Sequence, residues 1–238
     1  MKATWPNNTV WLIILLISSC TQKNQPKKNE YGVTVINAKP QYNASVKKSK
    51  NKTFVLLKDV IPGITIDLKY ATTNNFTKQA LYTNADAYLR TPAAAALQQV
   101  ATELKKQNIG VKIFDAYRPY SATVKMWDLI KNEDYVANPA KGSGHNRGAA
   151  VDLTLIDLTT GKELEMPTPF DDFTEKASHE FKNLPATVLH NRHLLKTTME
   201  KHGFVALRTE WWHYSLPNAA QQFDIMNIDF ADMKKLVK

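Results

Sequence analysis

The segment SGHNRGAAVDLTL, residues 143–155, constrains the fold most strongly because it places Asp152 inside an otherwise apolar strand. A carboxylate in a partly buried strand costs free energy unless it is paired or bound to a cation. His145 lies seven residues upstream, across a bend that Gly148 allows through its conformational freedom. The segment therefore predicts a strand that brings one oxygen ligand and one nitrogen ligand to a shared point.

The segment EWWHY, residues 210–214, supplies further groups of a catalytic metal site. A catalytic zinc ion usually takes three protein ligands and leaves one position open. His213 is the candidate third ligand after His145 and Asp152, and Glu210 is the candidate general base for a water molecule. In a straight strand positions 210 and 213 would face opposite sides, so this interpretation requires a bend or a bulge between them.

The segment DAYRP, residues 115–119, follows a predicted buried strand and carries a cation. Arg118 is a candidate to face a nascent oxyanion, and Asp115 is a candidate to orient a neighbouring group. The alternative is that Arg118 serves only as a salt-bridge partner of Asp115.

These segments together resemble the zinc D-Ala-D-Ala peptidases, and in particular the VanX-type D-alanyl-D-alanine dipeptidases. The resemblance rests on SxHxxGxAxD at residues 143–152 and on ExxH at residues 210–213. It covers about residues 53–230, with all segments in the same order. It implies one zinc ion per chain and the hydrolysis of D-alanyl-D-alanine, or of a related small peptide, in cell-wall metabolism.

The resemblance also implies a role for each site residue. Zinc is held by His145, Asp152 and His213. Glu210 acts as the general base, and Arg118 stabilises the tetrahedral intermediate.

Two further residues are implied to bind the substrate. Asp171, in the segment MPTPFDDF, is expected to contact the free ammonium group of the substrate. Asp172 is the neighbouring alternative for this role, and the alternative role for Asp171 is only to cap the following turn. Ser143 is expected to help position the substrate near the zinc ion.

Two other functions are compatible with the same motifs. One is a zinc D,D-carboxypeptidase or endopeptidase that trims peptidoglycan stem peptides. The other is an inactive, zinc-bearing module that binds the cell wall. The presence of Glu210 and Arg118 beside all three ligands argues against the inactive module, because binding alone needs neither a base nor an oxyanion donor.

Residues 1–20 are predicted to be a signal peptide. The apolar run at residues 10–17 is too short to span a bilayer and fits the apolar region of an export signal. The following Ile-Ser-Ser-Cys resembles a bacterial lipobox, which predicts a lipid on Cys20. A plain secretory peptide is the alternative. We therefore expect an exported, membrane-anchored lipoprotein that faces the periplasm or cell envelope.

The net charge of +9 is concentrated near the N-terminus. Residues 21–52 carry eight lysines and one glutamate, which leaves residues 53–238 nearly neutral. This polar composition predicts a flexible tether over residues 21–52 that lifts the domain off an anionic membrane. Nucleic-acid binding would require the positive charge on a folded face, so no nucleic-acid partner is expected.

Residues 53–238 are predicted to form one catalytic α+β domain, with the zinc site at a mostly antiparallel sheet flanked by helices. Helices are expected from Thr91, over residues 121–132 with Ser121 as the N-cap, and over residues 186–203. Two strands are expected to join at residues 159–161. His190 and His193 are predicted to lie on a solvated helix face rather than to bind a second metal ion.

Overall fold

Short strands and helices alternate without a regular rhythm in the computed structural model, which describes Met1 and residues 26–237. The strands are β1 (Val35–Ile36), β2 (Phe54–Leu56), β3 (Thr65–Ile66), β4 (Tyr88–Arg90), β5 (Ile109–Asp115), β6 (Ala150–Asp157), β7 (Val205–Ala206), β8 (His213–Ser215) and β9 (Ile225–Met226). The helices are α1 (Lys39–Lys48), α2 (Leu57–Val60), α3 (Thr91–Lys105), α4 (Tyr120–Ile130), α5 (Ala186–Lys201), α6 (Ala219–Gln222) and α7 (Phe230–Val237). Within this described part, no helix combines the length and the apolar character needed to cross a membrane.

A five-stranded sheet in the order β3-β5-β6-β8-β7 forms the centre of the fold. The pairs β5–β6, β6–β8 and β7–β8 are antiparallel, whereas β3 pairs parallel with β5. Helices flank this sheet. The predicted α+β domain with a mostly antiparallel sheet is therefore confirmed.

The long strand β6 separates the apolar core from the polar site, because successive side chains of a strand point to opposite faces. Val151, Leu153 and Leu155 enter the main core and are fully buried. Asp152 is also buried, but it points to the other face. The strand is thus covered on both sides, and seven of its eight residues are buried.

Helices α3 and α5 cover the core face of the sheet. Leu97, Val100 and Leu104 form one stripe along α3 and are fully buried, as their helical spacing predicts. Leu195 and Met199 of α5 complete the same core. The predicted first and third helices are confirmed within two residues at their ends.

Residues 26–52, here called the N-terminal layer, pack on the domain. Strand β1 pairs parallel with β9, and the buried Tyr42 of α1 accepts a hydrogen bond from the Phe54 N–H at 2.9 Å. Ser45 and Lys52 both donate to Asp224. These residues do not fit the flexible tether predicted over residues 21–52. The predicted signal peptide with Cys20, and residues 21–25, lie outside the described residues.

Two smaller predictions differ from the structure, and one strand is not predicted by the sequence. Helix α4 begins at Tyr120 with Pro119 at its N-cap, so Ser121 lies inside the first turn instead of capping it. The strand predicted after residues 159–161 is reduced to one bridge, between Ile156 and Glu163. Strand β4 was not predicted, because its three residues are too few to show a period.

Candidate active site

The register between β6 and β8 brings the first two candidate ligands together. Asp152 and His213 lie directly opposite each other in this antiparallel pair. The distance between Asp152 Oδ1 and His213 Nδ1 is 2.9 Å. Two residues that are 61 positions apart in the chain are thus placed side by side by backbone pairing alone.

A tight turn before β6 places the third candidate ligand. His145 begins a single 3₁₀ turn that Gly148 ends with a left-handed φ of 66°. The backbone carbonyl of His145 accepts hydrogen bonds from the N–H groups of Arg118 and Gly148. His145 Nε2 lies 3.2 Å from His213 Nδ1 and 3.4 Å from Asp152 Oδ1. The structure therefore brings all three predicted ligands together, with their ligand atoms close enough to contact one metal ion.

The spacing of these three atoms fits a tetrahedral metal ion. Bonds of about 2.05 Å at tetrahedral angles place neighbouring ligand atoms about 3.3 Å apart. The observed separations are 2.9, 3.2 and 3.4 Å. Two imidazole nitrogens and one carboxylate oxygen are also donors that zinc accepts in catalytic sites. Among the described residues this is the one group of three or more such side chains close enough to share an ion.

The surroundings of the ligands also favour a cation. The Nδ1 atom of His145 lies 2.8 Å from the Ala116 carbonyl, which selects the tautomer with a free lone pair on Nε2. Burial opposes the ionisation of Asp152, but His145 and His213 outweigh it and hold the pKa of the carboxyl below its ordinary value. Asp115 adds a second buried carboxylate, 3.4 Å from His145 Nδ1.

Glu210 is placed by a turn at the start of β8. The N–H of His213 donates to the Glu210 carbonyl at 3.3 Å, so the chain reverses between the two residues. This turn is the bend that the sequence pattern required. The Glu210 side chain lines the same cavity as Asp152 and His213. Burial raises the pKa of Glu210 to about 7, although His213 partly opposes this effect, and a carboxyl with such a pKa suits a general base.

Arg118 is held rigidly at the cavity wall. Its Nε and Nη2 atoms donate to Asp115 Oδ2 at 2.8 and 2.6 Å. Tyr82 donates to the other carboxylate oxygen of Asp115 at 2.8 Å. Burial opposes the charge of Arg118, but the attraction of Asp115 outweighs it and raises the pKa of the guanidinium group. Asp115 thus orients Arg118, as well as neighbouring His145.

Asp171 lies in the cavity wall with one carboxylate oxygen free. Its Oδ1 atom accepts a hydrogen bond from the Tyr70 hydroxyl at 2.8 Å. Its Oδ2 atom is buried and has no hydrogen-bond partner among the described residues. Burial raises the pKa of Asp171 to about 7, against the effect of the Tyr70 hydrogen bond. Asp172 instead accepts the N–H of Thr174 in an exposed turn, so only Asp171 is available to a ligand in the cavity.

Ser143 lines the cavity and also stabilises the turn that carries His145. Its N–H donates to Asn146 Oδ1 at 3.0 Å, and its Oγ accepts the N–H of Asn146 at 3.1 Å. The Asn146 side chain donates in turn to the Arg118 carbonyl. Asn146 thus ties two cavity segments together.

The cavity has a volume of about 640 Å³ and contains all seven predicted residues of the site. Its wall includes aromatic side chains that the sequence did not single out: Tyr70, Tyr135 and Phe173. Trp212 of the EWWHY segment also lies in this wall. Tyr70 contacts two of the predicted residues, since its ring lies 4.7 Å from the Arg118 guanidinium carbon. No sequence signal separates Tyr70 from an ordinary core tyrosine, because it lies in an irregular segment. His190 and His193 are exposed, as predicted.

Comparisons with known proteins agree with this geometry. The family model described as D-ala-D-ala dipeptidase matches residues 50–235. The D-alanyl-D-alanine dipeptidase of Escherichia coli K12 is 37% identical over 161 residues, which cover 68% of this chain and 83% of that protein. The enzyme of the same name from Enterococcus faecalis is 33% identical, and the match covers 68% of this chain and 91% of that protein. The enzyme of this name from Enterococcus faecium is 30% identical, and the match covers 72% of this chain and 98% of that protein.

Proposed function

The chain belongs to the D-ala-D-ala dipeptidase family, and on that premise we propose that it is a zinc dipeptidase that hydrolyses D-alanyl-D-alanine to two molecules of D-alanine. The observation that carries the proposal is the convergence of His145, Asp152 and His213 within one cavity that also holds Glu210 and Arg118. This activity belongs to cell-wall peptide metabolism.

His145, Asp152 and His213 are the residues that would hold the zinc ion. A bound zinc ion supplies a Lewis acid, which polarises a carbonyl group and lowers the pKa of a water molecule towards about 7. The hydrogen bond between His145 and Ala116 keeps the ligand nitrogen oriented, and the pairing of β6 with β8 does the same for Asp152 and His213.

Glu210 and Arg118 handle the proton and the developing charge. Glu210 accepts a proton from the attacking water and passes it to the departing amine, a role for which a pKa of about 7 is well matched. Arg118 faces the oxygen of the scissile carbonyl and stabilises its negative charge in the transition state. Asp115 prevents Arg118 from rotating away, because it accepts two of its N–H groups.

Asp171 accounts for a preference for dipeptides. Its free, buried Oδ2 oxygen is a site for the ammonium group of a dipeptide, which would satisfy the oxygen and favour its ionised form. A stem peptide has an amide at the corresponding position and would leave the carboxylate without a cation. The free Oδ2 atom therefore favours the dipeptidase over the carboxypeptidase or endopeptidase. Ser143 lies at the cavity wall, where its hydroxyl contributes to positioning the substrate.

A paired substrate assay tests this function. The purified protein is incubated with D-alanyl-D-alanine and, separately, with a stem pentapeptide ending in the same dipeptide. Release of D-alanine is measured with and without a chelator. We expect release from the dipeptide, loss of release with the chelator, and recovery when zinc is restored.

The same assay distinguishes the alternatives. Release from the pentapeptide alone would assign a carboxypeptidase or endopeptidase and refute the role of Asp171. Stoichiometric zinc without any hydrolysis would assign an inactive binding module.

We further propose that the protein is an exported lipoprotein. The support comes from the sequence alone: the apolar run at residues 10–17 and the Ile-Ser-Ser-Cys motif that ends at Cys20. Metabolic labelling with a fatty acid should mark the wild-type chain and not a Cys20→Ala variant. Equal labelling of the two chains would refute lipidation at this residue.

A further inference from the structure

We propose that the N-terminal layer docks the protein onto an anionic phospholipid membrane. This proposal concerns a surface outside the catalytic cavity and does not depend on the hydrolytic activity. Nearly all of the layer precedes residues 50–235, the part of the chain that matches the family. It therefore lies almost entirely outside the part of the chain that matches the family.

The N-terminal layer carries a concentration of uncompensated positive charge. Six of its lysines are exposed: Lys27, Lys28, Lys39, Lys47, Lys48 and Lys50. None of the six forms an ion pair with any residue that the structure describes, whereas Lys52 is paired with Asp224 at 2.8 Å. Glu30 is the one acidic residue of the layer. The rest of the chain after the layer is nearly neutral.

Helix α1 presents its lysines on a rigid face. Tyr42 and Ser45 bury the opposite side of the helix against the domain. Lys39, Lys47 and Lys48 therefore lie on the solvent side of a helix that cannot detach without exposing Tyr42. A fixed array of cations costs less conformational entropy on binding than a mobile chain does.

The position of this charge in the chain indicates which partner it meets. The apolar run at residues 10–17 and Cys20 lie immediately upstream of the layer. Five residues lie between Cys20 and residue 26, so a fully extended chain spans at most about 22 Å between them. A segment with membrane-directed features is thus joined covalently to the lysine-rich N-terminal layer. Lysines next to such a segment bind anionic lipid headgroups.

The lysine surface is separate from the lining of the catalytic cavity. The cavity is lined by residues between Tyr70 and His213, and no residue of the N-terminal layer lies in its wall. Substitutions on the exposed side of α1 should therefore change membrane binding without changing turnover.

Vesicle sedimentation tests the proposal with charge-matched variants. All chains carry Cys20→Ser, which removes lipid attachment at that residue. The test variant replaces Lys39, Lys47, Lys48 and Lys50 by Gln. The control variant replaces Lys105, Lys106, Lys162 and Lys182 by Gln, and these four are also exposed and form no ion pair within the described residues. Vesicles consist of phosphatidylcholine alone or of phosphatidylcholine with phosphatidylglycerol, at about 0.1 M and about 1 M salt.

We expect the unsubstituted lysine layer to bind vesicles with phosphatidylglycerol, and salt to weaken this binding. Each lysine near an anionic surface contributes about fivefold in affinity, so the test variant should bind about 10²–10³-fold more weakly. The control variant should change by less than about threefold, and D-alanine release should be unaffected in both. Equal losses in the two variants would show that only net charge matters and would overturn the proposal. Binding that does not respond to phosphatidylglycerol or to the four substitutions would overturn it as well.

Discussion

His145 can offer Nε2 to a metal ion because its other ring nitrogen is committed to the Ala116 carbonyl. Arg118 depends in a similar way on Asp115, which accepts two of its N–H groups. At the scale of single residues, the site therefore relies on neighbours that do not themselves meet the substrate. Such neighbours fix both the orientation and the protonation state of the groups that do.

Glu210→Gln separates proton transfer from metal binding. The substitution keeps the shape of the side chain but removes its ability to accept a proton. We expect kcat to fall by about 10²–10⁴-fold, while the zinc content per chain stays that of the wild type. His213→Ala is the comparison, and it should lose both zinc and turnover. Turnover of Glu210→Gln near the wild-type value would remove Glu210 from the role of base.

Asp171 should make the metal-free protein less stable as the pH rises. Burial raises its pKa from 3.8 to about 7, so the folded state holds a proton that the unfolded state has released between these values. The free energy of unfolding therefore falls between about pH 4 and pH 7, by as much as about 4 kcal/mol from this group. The Asp171→Asn side chain cannot ionise, so the free energy of unfolding of this variant should fall less over the same pH range.

Urea unfolding in the presence of a chelator measures this effect. The Asp171→Asn variant should match the wild type near pH 4 and exceed its stability near pH 8. Parallel pH profiles for the two proteins would contradict the raised pKa.

At the scale of secondary structure, the turn that ends at Gly148 positions His145 at the entrance to β6. The φ of Gly148 is 66°, and a Cβ atom at this position would overlap the ring of the buried Phe54. Gly161 has nearly the same φ, 69°, but no atom lies within 4 Å of the position that its Cβ would take. These two glycines differ in packing and not in backbone conformation.

The pair predicts two different costs of substitution by alanine. Gly161→Ala should lower the free energy of unfolding by about 1 kcal/mol, the cost of a left-handed alanine. Gly148→Ala adds an overlap in a packed core and should cost about 2–5 kcal/mol. Chemical denaturation of both variants provides the measurement. Equal losses would mean that Phe54 moves aside without cost.

The elements that the sequence predicts well are those with a strong local pattern. Helix α3 has a regular apolar stripe, and β6 has an apolar run bounded by Gly148. The bend between Glu210 and His213 follows from the requirement that both side chains reach one site. The N-cap of α4 is Pro119 and not the predicted Ser121. Proline is accepted at the start of a helix because the N–H that it lacks would have no partner there. The role of Tyr70 depends on its contacts with Asp171 and Arg118, which are distant in the chain and produce no periodic pattern in the sequence.

At the scale of the whole molecule, composition misrepresented the N-terminal layer. Its lysines and asparagines are typical of an unfolded tether, yet a few contacts suffice to fix it. Tyr42 is 4% exposed, and β1 pairs with β9 near the C-terminal end of the chain. The pairing of β1 with β9 joins residues 190 positions apart, so no local window of sequence reveals it.

Tyr42→Ala tests whether the N-terminal layer folds with the domain. Removal of a buried aromatic side chain should lower the free energy of unfolding by about 3–5 kcal/mol. Asn43→Ala, on the exposed side of the same helix, should change it by less than about 0.5 kcal/mol. Denaturant unfolding of both variants provides the comparison. No difference between them would mean that the layer does not contribute to the stability of the domain.

Anomalous diffraction at the zinc absorption edge, from crystals of zinc-loaded protein, tests the central claim most directly. We expect one peak per chain, about 2.0–2.2 Å from His145 Nε2, Asp152 Oδ1 and His213 Nδ1. A peak elsewhere, or one that leaves any of these three side chains without contact to the ion, would contradict it.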